Sequence, residues 1–221
     1  MRKPQRLTPE QASSWVPDPP PPGGLVDWAQ FFPKPGPVEL EIGFGKGAFL
    51  VASAEKHSDV NFLGVEHERK YAFLAASRLA RRGLTKARVF AADGSRLLAL
   101  NIPAQSVSAI HLYFPDPWWK TRHHKRRIMT PAFLLAVAKA LKTGHPFHMA
   151  TDVEDYFLNT LKLLENCSSL SLQQAWHCRD MPPPEAVVTN FERKAHAQGR
   201  SVFRLIATTK AEHSGSNIKV E

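Results

Sequence analysis

The sequence predicts an α/β domain, with a mostly parallel sheet of seven strands and helices on both faces. Three observations point there. Short apolar, strand-like runs alternate with segments of helical period, the signature of strand–helix–strand units. A glycine-rich turn, Gly43-Phe-Gly-Lys-Gly47, directly follows the first of those runs. Four acids, Glu41, Glu66, Asp93 and Asp116, fall at or beside the carboxyl ends of strand-like runs, where open α/β sheets collect ligands.

Taken in order, residues 1–37 hold ten of the eighteen prolines, Pro19 to Pro22 among them, and show no strand or helix period. They read as an extended N-terminal arm, polyproline-like in part, with a short helical turn around Asp27 to Phe32. A domain of residues 38–210 follows, and a polar tail, residues 211–221, closes the chain. Val38–Ile42 is a buried strand and Lys46–Lys56 the helix after the glycine turn. Asn61–Glu66 is the second strand. The helix from Glu68 sets Tyr71, Leu74, Ala75 and Leu79 on one face and stops at Arg81-Arg-Gly83, a good C-terminal signal. Ala87–Ala92 and Val107–Phe114 are the third and fourth strands. Thr130-Pro131 supplies an N-cap and a proline at the first helical position, with a stop at Gly144. Pro146–Thr151 is the fifth strand, followed by a helix over Asp152–Glu165. Two late strands, near Ser169–Trp176 and Ser201–Thr208, flank an irregular stretch with Pro182 to Pro184. Strict alternation implies a parallel sheet covered on both sides.

The 221 residues suffice for one domain with a full core, and 43% of them are hydrophobic. No apolar run reaches the length of about 18 residues needed for a membrane span, and the N-terminal segment lacks the apolar region of a secretory signal. The net charge of +9 favours a polyanionic partner. Cys167 and Cys178 show neither CxxC pairing nor zinc-like spacing with histidine, so they read as reduced thiols in a cytoplasmic setting.

The glycines, spaced G-x-G-x-G rather than as the dinucleotide fingerprint G-x-G-x-x-G, let backbone approach a ligand closely. Glu66, 21 residues beyond Gly45, is placed to grip the two hydroxyls of a ribose. Asp93 is placed to accept from an adenine amino group. One acid at a strand end is ordinarily a solvated charge, but several at consecutive strand ends point to a ligand. An acid-lined pocket suits a cation better than a pyrophosphate, which prefers a helix N-terminus. S-adenosylmethionine, a sulfonium, meets that demand.

Downstream, Phe114-Pro-Asp-Pro-Trp-Trp-Lys-Thr-Arg-His-His-Lys-Arg-Arg127 joins Asp116 and two tryptophans to five Lys or Arg within the eight residues from Lys120. An acid beside aromatics suits a flat polar base, and the neighbouring cations suit a phosphate backbone. A cationic run is more often a solvated loop, but this one directly follows the fourth strand. Trp118 stands equally as a base-stacking ring or as packing for the loop. Adjacent histidines such as His123 and His124, without a partner acid, are commonly surface groups, and no metal is expected. Thr189 and Glu192 have capping-box spacing, compatible with a second role at a ligand.

These motifs resemble the TrmB-type tRNA (guanine-N7-)-methyltransferases, of the Rossmann-like class I methyltransferase fold. The resemblance covers residues 36–208. It is carried by Glu41-Ile-Gly-Phe-Gly-Lys-Gly47, Gly64-Val-Glu-His67, the block from Phe114 to Arg127, Ala150-Thr-Asp152, and Thr189-Asn-Phe-Glu192 followed by Gly199. It implies that Glu41, Gly43, Gly45, Glu66, Asp93 and Asp116 contact the methyl donor, S-adenosylmethionine, and that Asp116 is also the active-site residue. It further implies that Lys120, Asp152, Thr189, Asn190, Phe191 and Glu192 meet the RNA substrate. Arg122, His123, His124, Lys125, Arg126 and Arg127 are expected on the tRNA backbone, with no membrane and no obligatory protein partner. Trp119 stands where the family usually has proline, Thr121 where it has a second basic residue, and Asn190 where lysine is frequent. These departures bear on the RNA surface more than on the chemistry.

Guanine N7 carries an in-plane lone pair and attacks a sulfonium methyl without prior deprotonation. Positioning and charge placement are therefore the expected catalytic means. N7 faces the major groove, which is deep and narrow in A-form RNA, so the target sits in a loop or an opened contact; the resemblance implies a variable-loop guanosine. Three rivals differ. An amino-group methyltransferase of this fold carries [DNS]-P-P-[YFW] where this chain has Phe-Pro-Asp-Pro-Trp. A nicotinamide enzyme needs another glycine spacing. A non-catalytic RNA-binding protein has no need of four intact acids.

Overall fold

The computed structural model describes residues 8–179 and 189–210. The expected irregular stretch around Pro182 to Pro184 and the tail from Ala211 lie outside them. In chain order the elements begin with α1 (Pro9–Ala12), a 3-10 turn (Ser13–Trp15) and α2 (Trp28–Phe31). They continue through β1 (Val38–Ile42), α3 (Ala48–Lys56), β2 (Asn61–Glu66), α4 (Arg69–Arg81), β3 (Ala87–Ala91), α5 (Gly94–Leu100) and β4 (Ala109–Tyr113). A second 3-10 turn (Thr121–Arg126) is followed by α6 (Pro131–Ala140), β5 (Pro146–Thr151), α7 (Glu154–Glu165), β6 (Leu170–Cys178), α8 (Asn190–Ala197) and β7 (Val202–Thr209).

The seven strands form one sheet in the order β3-β2-β1-β4-β5-β7-β6. The pairings among β3, β2, β1, β4 and β5 are parallel. β7 runs antiparallel to both β5 and β6, so strict alternation overstated the parallel character at this end. The reason lies in β6. Most of its residues are exposed, and it lacks the continuous apolar run of a doubly covered strand. It therefore takes the edge, while the half-buried β7 fills the place beside β5. Chain order reverses between β1 and β4, which opens the crevice at their carboxyl ends.

Both faces are covered, by different means. On one, α5, α6 and α7 close over Leu40, Ile42, Leu63, Val65, Ile110, Leu112 and Phe147 in a large apolar core. On the other, α3 and α4 pack over Phe62, Ala87 and Val89, and α8 lies over the β5–β7 end, where Ala150, Ala195 and Val202 form a small cluster. Helix α4 buries Ala72, Ala75, Ala76 and Leu79. Tyr71 and Leu74, expected on that face, are only half-buried, because the alanine row lets the helix approach closely and rotates both outward. The approach is close at Gly47, whose φ is 70°, and an added Cβ there would lie 2.7 Å from Ala75 Cβ.

Helix α5 is too short to show a period in the sequence. Asp93 caps it by accepting from Arg96 N at 3.0 Å. At α6 the expected start is found, Thr130 accepting from Phe133 N at 3.1 Å. That helix ends at Ala140 rather than at Gly144, because Leu141 leaves it to bridge Val107 in parallel. Helix α8 occupies part of the stretch expected to be irregular, and only its capping residues announce it in the sequence.

The N-terminal arm is not free-standing. Thr8 and Gln11 close a capping box on α1, Ala12 is buried, and Trp15 Nε1 donates to the Leu84 carbonyl at 3.0 Å. The helical turn expected near Asp27 to Phe32 is α2, capped by Asp27. Beside it, Val26 and Phe32 enter the main core, and Phe31 meets Phe90 edge-on at 5.2 Å. Phe32→Ala is expected to lower unfolding free energy by about 3 kcal/mol, the cost of a buried ring and its cavity. Urea titration measures this, and a loss under about 1 kcal/mol would mean the arm packs as an accessory.

Candidate active site

The glycine turn leaves β1 with Gly43 and Gly45 in the left-handed region, φ 72° and 55°. Glu66, at the end of β2, secures it. One carboxylate oxygen accepts from Gly45 N at 2.8 Å and the other from Glu68 N at 3.0 Å. Each oxygen keeps a second lone pair, so the residue that holds the turn still offers acceptors to a ribose. A cleft of about 580 Å³ opens beside it, lined by Gly43, Glu66, Asp93, Asp116, Trp118 and Arg126 among others. Asp93 lines this cleft while using Oδ1 as the α5 cap.

Asp116 is exposed at the cleft's rim and its loop is held unusually. Phe114 and Trp118, on either side of Pro115-Asp116-Pro117, both have positive φ, 52° and 47°. Left-handed backbone costs a non-glycine residue about 1 kcal/mol or more and persists only where surroundings enforce it. The enforcing contacts are visible. Phe114 N donates to the Ala150 carbonyl at 2.8 Å. Arg127 Nε donates to the Pro117 carbonyl at 2.8 Å, while its guanidinium also reaches Asp155 Oδ2 at 3.2 Å and lies over the Tyr156 ring.

The cationic run thus divides. Arg127, its side chain only 11% exposed, faces inward as the loop's anchor, and His124 is half-buried against it. Arg126 lies 4.9 Å over the Trp118 ring, and His123 meets that ring edge-on. Trp118 therefore packs within the loop while also facing the cleft. Arg122 and Lys125 are exposed. Lys120 joins Asp116, Trp118, Trp119 and His123 around a shallower hollow.

A second pocket of about 250 Å³ lies behind the glycine turn, lined by Glu41, Gly43, Gly45, Phe49, Tyr71, Tyr113, Thr189, Asn190, Phe191 and others. Glu41 is thus separated from Glu66 and Asp93, and Gly43 is common to both hollows. Burial pushes the Glu41 carboxyl up to about 8, with the Leu50 backbone N–H opposing and Glu66 adding to the rise. Its Oε2 is buried without a hydrogen-bond partner among the described residues. Phe191 stands 59% exposed over the turn, roughly parallel to Phe114. Thr189 caps α8, accepting from Glu192 N at 3.0 Å. Glu192 does not complete a capping box; it is fully buried and paired with Arg204. Asp152, outside α7, is paired with Arg200 and lines neither hollow.

Sequence reasoning missed the polar layer beneath the second pocket. His111 Nε2 lies 2.9 Å from Glu39 Oε2, and His111 Nδ1 lies 3.0 Å from Tyr113 Oη. His148 stacks on His111 at 5.0 Å between centroids. Burial, then the His111 charge, pushes His148 down to about 4, while burial raises Tyr113. The signal was present as polar residues two apart on otherwise apolar strands, Glu39 and Glu41 on β1 and His111 and Tyr113 on β4, since period two sets them on one face. Among the described residues no three His, Cys, Asp or Glu side chains cluster as a metal site, and no helix is long and apolar enough to cross a membrane.

A glycine turn and acids at the carboxyl ends of a 3-2-1-4-5-7-6 sheet define an S-adenosylmethionine-dependent methyltransferase of the Rossmann-like class. Solved structures share the fold, among them the 16S rRNA methyltransferase KamB, with TM-score 0.62 and 15% identity over 85% of this chain and 95% of that one. A family model described as "Putative methyltransferase" matches residues 35–205. Among curated relatives, a tRNA (guanine-N(7)-)-methyltransferase of Hydrogenovibrio crunogenus is 37% identical over 182 residues, 82% of this chain and 76% of the relative. One of the same name from Aliivibrio salmonicida is 41% identical over 182 residues, 81% of this chain and 75% of the relative. The chain belongs to the tRNA (guanine-N(7)-)-methyltransferase family.

The raised Glu41 pKa carries a stability signature. A carboxyl that stays protonated in the fold, while the unfolded one ionises near 4.5, makes the native state less stable as pH rises from about 4.5 to about 8. Above pH 7 the neutral His148 no longer contributes a slope. Between pH 7 and pH 8 unfolding free energy should drop by about 1 kcal/mol from this group, and Glu41→Gln should remove that drop. Urea unfolding of both proteins at the two pH values measures it; equal slopes would place the Glu41 carboxyl in contact with water.

Proposed function

We propose that the chain transfers a methyl group from S-adenosylmethionine to N7 of a guanine in tRNA, with Asp116 as the catalytic carboxylate. The observation that supports this best is the position of Asp116. It is clamped between two prolines and two left-handed residues, at the rim of the cleft where Gly43, Glu66 and Asp93 converge. The donor fits the site by charge and by shape. Glycines permit close backbone approach, the cleft acids suit a sulfonium, and the unpartnered Glu41 oxygen awaits a donor group in the adjoining pocket. Glu66 and Asp93 hold the adenosine end, and Gly43, Gly45 and Glu41 receive the other end across the turn.

When bound, the donor supplies an electrophilic methyl on a positively charged sulfur. With donor and base in the cleft, Asp116 at its rim would stand near the positive charge that develops as the purine is alkylated, and its carboxylate would favour that product-like state. N7 attacks through its own lone pair, so no residue is required as a base. The flanking prolines restrict the loop and reduce the entropy of holding the carboxylate. Arg126 and Trp118, stacked beside Asp116, form the platform on which the base arrives.

Lys120, Arg122 and Lys125 lie exposed along the same loop and carry the phosphate contacts, whereas Arg127 holds the loop itself. The chain acts on a guanosine presented outside a regular stem, since a narrow A-form major groove hides N7. The reading carries with it a cytoplasmic setting, in which cysteines such as Cys167 and Cys178 stay reduced.

Incubating undermodified tRNA with labelled donor and analysing nucleosides tests the reading: 7-methylguanosine is expected, and label in another nucleoside would refute it. Asp116→Ala should abolish transfer while leaving tRNA affinity within about threefold, measured by filter binding alongside the transfer assay. Arg122→Ala combined with Lys125→Ala should raise the tRNA Kd and flatten its dependence on log salt by about 0.7 to 0.9 for each phosphate no longer neutralised. An unchanged salt slope would move the RNA track elsewhere.

A further inference from the structure

Helix α8 walls the smaller pocket with Asn190, Phe191 and Lys194, yet it has little apolar footing. Of its eight residues the buried ones are Glu192 and Ala195, and its apolar cluster with the sheet is small. What fastens it is charge, in two pairs of opposite sense. Near its start, Glu192 is fully buried and pairs with Arg204 on β7. Just past its end, Arg200 pairs with Asp152 at the carboxyl end of β5. His196 Nδ1 adds a contact of 2.8 Å to the Arg179 carbonyl after β6.

We propose that Arg200 and Arg204 are positioning residues for methyl transfer: through Asp152 and Glu192 they fasten both ends of α8 and set Phe191, Asn190 and Lys194 over the glycine turn. Asp152 and Glu192 then serve the reaction from inside the fold. The Glu192 site is poorly suited to stability alone. Its Oε2 and the His196 Nε2, which lies 3.7 Å from Glu192 Oε1, are buried without hydrogen-bond partners among the described residues, and a buried charge so incompletely met returns little net stabilisation. Such a pair fixes direction: the Arg204 guanidinium is met only when the first turn of α8 lies in one place.

The inference rests on the donor placement proposed above. Truncating Arg204 would strand a buried carboxylate and threaten folding, so the test uses the other pair, whose Arg200 and Asp152 side chains are 42% and 20% exposed. The full chain is compared with Asp152→Arg, Arg200→Asp and the double exchange. On each, hydrogen exchange of backbone amides 190–197 is followed, and the Kd of S-adenosylhomocysteine is measured by calorimetry without RNA. Each single reversal should speed exchange in α8 and weaken that Kd by about tenfold, the scale of a like-charge contact replacing a half-exposed pair. The double exchange should restore both to within about threefold. A double variant as impaired as Asp152→Arg alone would overturn the inference, because Asp152 would then act directly on a ligand. Unchanged α8 exchange in both single variants would overturn it as well. Should the unaltered chain fail to bind S-adenosylhomocysteine, the donor placement falls, and the exchange data alone decide the fastening.

Discussion

The Glu66 carboxylate, accepting from Gly45 N and Glu68 N, is the contact on which the rest of the site depends. One oxygen holds the glycine turn that leaves β1, and the other holds the entry to α4. The turn's position in turn sets the boundary between the two hollows, since Gly43 lines both. Two backbone N–H groups beside the crevice are satisfied by one charged acceptor, an arrangement stronger than a neutral hydrogen bond. The carboxylate retains lone pairs beyond these two bonds, so in the donor placement proposed above the atoms that hold the turn also accept from the ligand.

A second arrangement makes the site directional. Acids line the cleft, cations stand on the loop at its rim, and Asp116 lies where the two meet. That division depends on Arg127 turning inward. Its bond to the Pro117 carbonyl, together with the Phe114 N–H bond to Ala150, holds the loop in which Phe114 and Trp118 keep left-handed backbone, and its pairing with Asp155 ties that loop to α7. The positive run in the sequence is therefore two things in the structure, an anchor and a surface, distinguishable only once Asp155 and Tyr156 are seen beneath Arg127.

What was legible in the sequence is what local chemistry determines. Strands β1, β2 and β5 lie where apolar runs placed them, Thr130-Pro131 starts its helix, and the acids stand at strand ends because period and punctuation are local properties. What was not legible depends on distant partners. Glu192 has capping-box spacing, yet its carboxylate goes to Arg204 on β7, since a half-buried guanidinium, a charged donor, outcompetes a backbone N–H. β7 turned antiparallel because β6, exposed along most of its length, belongs at an edge. The layer of Glu39, His111, Tyr113 and His148 was readable only in part, as polar positions two apart on β1 and on β4, until the sheet set those strands and His148 of β5 side by side. There the Glu39 carboxylate lies against His111 Nε2, and His111 Nδ1 lies within hydrogen-bond reach of the Tyr113 hydroxyl, which burial keeps protonated.

The two faces of the sheet divide the labour of the fold. The face under α5, α6 and α7 is apolar from β3 to β7, and hydrophobic burial there supplies the bulk of cohesion. The opposite face, between the sheet and helices α3 and α8, carries Glu39, Glu41, His111, Tyr113, His148, Glu192 and Arg204. Such a layer gives up apolar burial and imposes desolvation. It also binds its helices through few, directional contacts, whose making and breaking moves a wall without exposing a core. The smaller pocket, proposed above to receive one end of the donor, opens on this face, where α8 is held by charge. A wall held by a large apolar interface would be more stable, but it would resist the small displacements by which a pocket opens to admit a donor and closes around it.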